Sequence, residues 1–208
     1  MRTNPDDSAA HGPWPSTHAL PADLIAAKAL VYDPAGFVCT PPRPEPESAD
    51  YAAHTFTVNG ARVRFRVGRT TPTKVGQFVT LWQRSAAGPI EPFDIEDPLD
   101  LVVISSRNAD GNTDGNADGN ADADADAEGF GQFVFPSAVL GARGILTVGR
   151  TGGKRGFRIY PPWVTTTNRQ ARSTQTWQLN HFLPIPPNPH GPVDLTRART
   201  LYGEHGAT

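Results

Sequence analysis

Residues 54–69 hold the pattern that most limits the fold. Two alternating runs, His-Thr-Phe-Thr-Val and Arg-Val-Arg-Phe-Arg-Val, are joined by Asn59-Gly60. Alternation with a period of two sends side chains to opposite faces of a strand, and Asn-Gly supplies the two positive-φ positions of a tight hairpin turn. The chain is thereby committed to an antiparallel pair with Phe56, Val58, Val63, Phe65 and Val67 on its core face and Arg62, Arg64 and Arg66 on the other. Three arginines on alternate residues repel one another unless solvent, acids or an anion screens them. The stripe is therefore either a solvated face or a phosphate track.

More strands are expected downstream. Residues 71–82 read as a turn feeding a strand that is apolar on both parities, which predicts cover on both faces. Lys74 and Gln77 are then polar groups at the mouth of a buried strand, where they must find partners or face a cavity. Residues 101–104 form another buried strand, with Asp97 and Asp100 near its start. Carboxylates so placed can hold Mg²⁺ through one or two oxygens. Residues 131–134 repeat the Gly-Gln-Phe-Val of 76–79, so Gln77 and Gln132 would share a pocket if the two strands lie side by side.

Helices are expected over 23–32, over 136–142, and from about 168 to 182 behind the capping threonines 165–167. Arg169 and Arg172 open the last of these, where positive charge opposes the helix dipole and an anion would be welcome. With 20 Gly and 21 Pro in 208 residues, sheet with long connections is favoured over a helical bundle. The expectation is a single α/β (α+β) domain over residues 21–183, built on a mostly antiparallel central sheet flanked by helices. Segments 1–20 and 184–208 lack periodicity and are expected to be disordered.

A formal net charge of −2 conceals an uneven distribution. Residues 108–128 repeat Ala-Asp-Gly-Asn, carry seven acids and no Lys or Arg, and read as an acidic low-complexity insertion between two strands. Without it, 19 basic residues stand against 14 acidic ones, so the body is mildly basic. The single cysteine, Cys39, excludes an internal disulfide and a thiolate zinc cage, and a cytoplasmic protein is expected. No run approaches the roughly 18 apolar residues that span a bilayer, so no membrane partner is expected.

The segment 153–163, Gly-Lys-Arg-Gly-Phe-Arg-Ile-Tyr-Pro-Pro-Trp, concentrates Lys154, Arg155 and Arg158 beside Tyr160 and Trp163 on a short strand that Pro161-Pro162 must stop. Fixed positive charge attracts phosphates, while aromatic faces and guanidinium planes stack on bases. An amphipathic strand with snorkelling arginines has the same composition.

Several blocks together resemble the MepB family, small bacterial proteins whose members often accompany drug-efflux genes. They are Glu47-Ser48 near Tyr51, Thr-Pro-Thr-Lys-x-Gly-Gln-Phe-Val-Thr-Leu-Trp at 71–82, Gly-Pro-x-x-Pro-Phe at 88–93, Gly-Gln-Phe-x-Phe-Pro at 131–136 and the segment 153–163. The likeness continues into Thr174-Gln175-x-Trp177-Gln178-Leu179 and spans about residues 22–183, with the acidic insertion as a departure.

The resemblance implies a restriction-endonuclease-like fold with a basic groove suited to DNA. Such nucleases pair an Asp on one strand with a Glu or Gln and a Lys two residues later on the next, around Mg²⁺. Asp100, with Asp97, would supply the carboxylates and Gln132 the amide. Val134 stands where the lysine belongs, so Lys74 or Lys154 would have to replace it. The resulting expectation is a DNA-binding protein of nuclease-like fold, with a Mg²⁺-dependent endonuclease of incomplete or rearranged catalytic motif as its enzymatic version; the resemblance does not itself imply cleavage. Gln77, Lys154, Arg155, Arg158, Tyr160, Trp163 and the arginines of 62–66 would contact the nucleic acid. The alternative is an enzyme or sensor that holds a small anion such as a nucleotide in a closed pocket.

Overall fold

The computed structural model describes residues 14, 20–85, 88–108, 129–186 and 191–203. The acidic run 109–128 and nearly all of the expected N-terminal lead-in lie outside the described residues.

The chain opens with helix α1 (Ala22–Ala27), which runs through a π-helical turn (Lys28–Tyr32) into α2 (Asp33–Ala35) and ends at Gly36 in the left-handed region, φ 75°. Strand β1 (Arg43–Pro44) and a 3₁₀ turn (Pro46–Tyr51) precede the hairpin of β2 (His54–Val58) and β3 (Ala61–Val67). Asn59 and Gly60 take φ 49° and 86°, as the hairpin turn requires. Then come β4 (Arg69–Thr71), β5 (Lys74–Thr80), β6 (Gln83–Arg84), β7 (Ile90–Glu91) and β8 (Leu101–Arg107). Beyond the acidic run lie β9 (Phe130–Pro136), α3 (Ser137–Ala142), β10 (Gly156–Ile159), α4 (Arg169–Leu179), β11 (Phe182–Pro184) and α5 (Leu195–Gly203).

Six strands form the central sheet in the order β1-β2-β3-β8-β9-β11. All neighbours are antiparallel except β3 and β8. The fold is thus mixed α/β around a mostly antiparallel sheet. Strands β8 and β9 bury both parities: Leu101, Val103 and Val134 join one core, and Val102, Ile104, Phe133 and Phe135 join another. The first core lies under α1 and α5. Val79 and Leu81 on and after β5, with Phe157 and Ile159 of β10, complete the second.

A smaller sheet in the order β10-β5-β4 therefore covers the second face, which the sequence pattern did not anticipate. Cover of β5 on both faces holds only from Gly76 onward, because Lys74 and Val75 are exposed where the strand leaves its turn.

The segment expected to be disordered from residue 184 instead supplies the last residue of β11 and forms α5. Asp194 caps α5 by accepting from the Arg197 N–H at 2.9 Å, and Ala198 and Tyr202 are buried on its inner side. The Tyr202 hydroxyl donates to Gln132 Oε1 at 2.8 Å, and Tyr32 adds a longer bond to the same oxygen. Burial pushes both phenols above their ordinary range, so they remain neutral donors. Among the described residues, no helix is long and apolar enough to cross a membrane.

Candidate functional site

Strand β10 pairs with β5 along one edge, placing Phe157 opposite Val79 and Arg158 opposite Phe78. Helix α4 covers the other edge. Gln178, fully buried, donates from Nε2 to the Arg158 carbonyl at 2.9 Å and accepts at Oε1 from the Tyr160 N–H at 2.9 Å. One side-chain amide thereby satisfies two backbone groups that a neighbouring strand would otherwise pair. Gln175 does the same for the turn that follows, donating to the carbonyls of Pro161 at 3.0 Å and Val164 at 2.8 Å. The helix starts at Asn168, whose side chain accepts from the Ala171 N–H at 2.8 Å; the cap is this Asn, not the threonines 165–167.

Between β10 and α4 lies a cleft of about 370 Å³. Arg143, Lys154 and Arg158 bring positive charge to its lining, Tyr160 and Trp177 bring aromatic rings, and no carboxylate contributes to it. Polar groups come from α4, where Asn168, Gln170 and Thr174 face the cleft. The Arg143 guanidinium lies over the Trp177 ring, 5.0 Å from its centre. Lys154 and Arg155 are exposed, and neither has an ion-pair partner among the described residues.

Arg158 is in a different condition. Its guanidinium donates to Thr71 Oγ1 at 2.7 Å and to the Gly76 carbonyl at 3.2 Å, which ties β10 to the β4–β5 turn. Gly76 is required there: at φ +80°, a Cβ would lie 2.6 Å from the Ile159 carbonyl and 2.7 Å from the Tyr160 ring.

The remaining sequence candidates are scattered. Trp163 and Gln77 border a separate hollow of about 320 Å³ beside Arg107. Gln77 is saturated there, accepting from Ser106 Oγ at 2.6 Å and donating to the Arg107 carbonyl at 2.6 Å. Gln132 lies on the opposite face of the central sheet, where it donates to Ser105 Oγ at 3.1 Å. The expected shared pocket of Gln77 and Gln132 does not form, because β5 and β9 belong to different sheets and Ser105 and Ser106 point to opposite sides of β8. Lys74 is exposed at the start of β5 and contributes nothing to the cleft lining.

The arginine stripe is neither a solvated face nor an open phosphate track. Arg64 and Arg66 both bind Glu45, and Arg66 is only 1% exposed. Burial lowers the Arg66 pKa while Glu45 opposes that shift. Arg62 forms a two-pronged pair with Asp100, at 2.8 and 2.7 Å, and its backbone N–H adds a third bond to the same carboxylate.

These pairings also engage the carboxylates expected at a metal centre. Asp100 is held by Arg62, while Asp97 accepts from Gln83 Nε2 at 2.5 Å and from the Asp94 N–H at 2.6 Å. Among the described residues, no group of three or more His, Cys, Asp or Glu could hold a metal ion. With Gln132 across the sheet, the residues expected around Mg²⁺ do not fit such a site.

The sequence pattern assigned neither Arg143 nor Asn168, Gln170 and Thr174 to a site, although Thr174 lies in the block that resembles the family. The signal for the α4 residues was the spacing 168, 171, 174, 177–178, which repeats every three to four positions and marks the face turned to the cleft.

Comparison with known proteins gives two findings. A family model described as MepB-like matches residues 45–184. A crystal structure of MepB is similar, with 29% sequence identity, a TM-score of 0.59, and coverage of 72% of this chain and 87% of that one. No curated protein matches the chain.

Proposed function

The chain belongs to the MepB-like family, and we propose that in this member the β10–α4 cleft binds nucleic acid, with DNA as the expected polymer. The observation that carries the reading is the cleft lining: three cations, two half-buried ring systems and no acid. Unpaired cations release counterions when they meet phosphates, and rings and guanidinium planes accept bases. The restriction-endonuclease-like arrangement belongs to this proposal only as a scaffold, for which the mostly antiparallel sheet with helices packed against both of its cores is suitable. Metal-dependent cleavage is not part of it, since Asp97, Asp100 and Gln132 are engaged elsewhere.

The test is fluorescence anisotropy of labelled DNA across a salt series. Wild-type affinity is expected to fall steeply with salt. The double variant Lys154→Ala/Arg155→Ala is expected to reduce the log–log slope by about 1.4–1.8, which corresponds to two lost phosphate contacts. Affinity indifferent to both salt and substitution would sink the reading. The cleft volume also suits a small anion such as a free nucleotide, and in that case mononucleotides would bind as tightly as a polymer.

A further inference from the structure

We propose that a recess at the β1 edge of the central sheet is a separate anion site, which takes a phosphate group either as the free ion or carried on a small molecule. The recess measures about 440 Å³ and shares no lining residue with the β10–α4 cleft. It opens where the edge ladder is interrupted. The Thr40 N–H donates to the Thr57 carbonyl at 3.2 Å, and pairing resumes only with Arg43 opposite Thr55. Pro41 and Pro42 between them have no N–H to offer the ladder. Pro41 borders the recess, and so does Pro98 of the loop before β8.

Cross-strand partners stand on one face of a sheet. Arg43 is opposite Thr55, Thr55 opposite Arg64, and Thr57 opposite Arg62, and all five residues line the recess. Charge on this face is not balanced. Arg64 and Arg66 share the single carboxylate of Glu45, while Asp100 answers Arg62, so one guanidinium charge is left over. Arg43 adds another: it is exposed, and its side chain has neither an ion-pair nor a hydrogen-bond partner among the described residues. No carboxylate contributes to the lining. The acids that close the β3 stripe thus leave its neighbouring edge positive.

The hydroxyls of the lining have protons to give. Thr40 Oγ1 accepts from the Thr57 N–H at 2.8 Å and from the Thr57 hydroxyl at 3.2 Å, so its own proton is unspent. The Thr55 hydroxyl has no hydrogen-bond partner among the described residues. Donors without acids suit a ligand that only accepts, and guanidinium groups hold phosphate oxygens through charge-assisted hydrogen bonds. The volume falls within the range of small-molecule sites and leaves room for a body attached to the phosphate.

The experiment follows backbone amide NMR shifts of the full-length protein as inorganic phosphate, and separately glycerol phosphate, is added at constant ionic strength. Saturable shifts are expected at Thr40, Thr55 and Thr57, and the tighter of the two ligands tells the free ion from a carried phosphate. Arg43→Ala is expected to weaken binding at these amides by about tenfold or more, and Thr55→Val by about threefold or more. Both variants should keep the wild-type unfolding midpoint, since neither side chain has a bonding partner in the fold. Undiminished binding in both variants, or shifts confined to residues 154–160, would overturn the inference. So would a reduced salt slope of DNA binding in Arg43→Ala, because the recess would then belong to the path of the polymer. Loss of phosphate binding with the DNA slope unchanged is the expected result.

Discussion

Strand β3 and the segment 153–163 each carry three basic residues within a few positions of one another, yet they reach opposite electrostatic states. On β3, Glu45 closes on Arg64 and Arg66, and Asp100 closes on Arg62. In the segment 153–163, Lys154 and Arg155 meet no carboxylate among the described residues, and Arg158 satisfies itself on backbone carbonyls and a threonine. The difference lies outside both strands. The acids that neutralise β3 arrive from a proline-rich connection before it and from a loop almost forty residues after it. No acid-bearing segment reaches the cleft lining. Local charge density is therefore a poor guide to where a polyanion can bind; what decides is whether the fold delivers a carboxylate to the cations.

The largest effect should come from breaking the paired side of this contrast. Glu45→Gln leaves Arg66 buried without its counter-charge, and loss of one partner of a buried pair costs about 3–5 kcal/mol. Urea unfolding is expected to register a cost in that range, with nucleic-acid affinity per folded molecule unchanged. Next is Gln178→Ala, which leaves the Tyr160 N–H and the Arg158 carbonyl without partners at the buried edge of β10. At about 1–3 kcal/mol per unsatisfied group, it should lower stability and binding together. Stability unchanged by this variant would contradict the role given to α4 as cover for that edge.

Two smaller effects sharpen the comparison. Arg62→Ala removes an ion pair whose arginine is 52% exposed, and such pairs contribute about 1 kcal/mol or less. The expected result is a slight shift in the unfolding midpoint and no change in binding. The last effect is confined to acid. Asp94 accepts from Thr147 Oγ1, from the Glu96 N–H and from the Arg150 N–H, and these bonds, the first above all, hold its carboxyl below the usual range. Its folded pKa lies below the unfolded value of about 3.9. Its contribution to stability is therefore present above that pH and lost as pH falls toward the folded value. Asp94→Asn should flatten the wild-type loss of stability in this window, as read from thermal unfolding at a series of acid pH values.

Much of the scaffold was legible from local pattern. The hairpin followed from alternation and Asn59-Gly60, and the two-faced burial of β8 followed from its unbroken apolar run. Both signals are properties of neighbouring residues. The smaller sheet was hidden because β4, β5 and β10 look like any strands until their long-range pairing is known. Helix α5 was masked by the proline-rich residues before it, although Leu195, Ala198 and Tyr202 carry a helical spacing behind Asp194. At the candidate site, Lys154, Arg158 and Tyr160 were legible as a cluster because they lie on one short segment. Arg143 and the α4 residues were not, since they reach the cleft from other elements. The engagement of Asp100 and of Arg62 was not legible either, because their pairing joins residues far apart in sequence and occupies a cation and a carboxylate at once.

The most direct test sets one arginine from each region against the other. The salt dependence of DNA binding is measured for Arg62→Ala and Arg155→Ala, two substitutions identical in charge and volume. The account predicts a log–log slope reduced by about 0.7–0.9 for Arg155→Ala and a wild-type slope for Arg62→Ala. An equal reduction in both, or a reduction in Arg62→Ala alone, would contradict it.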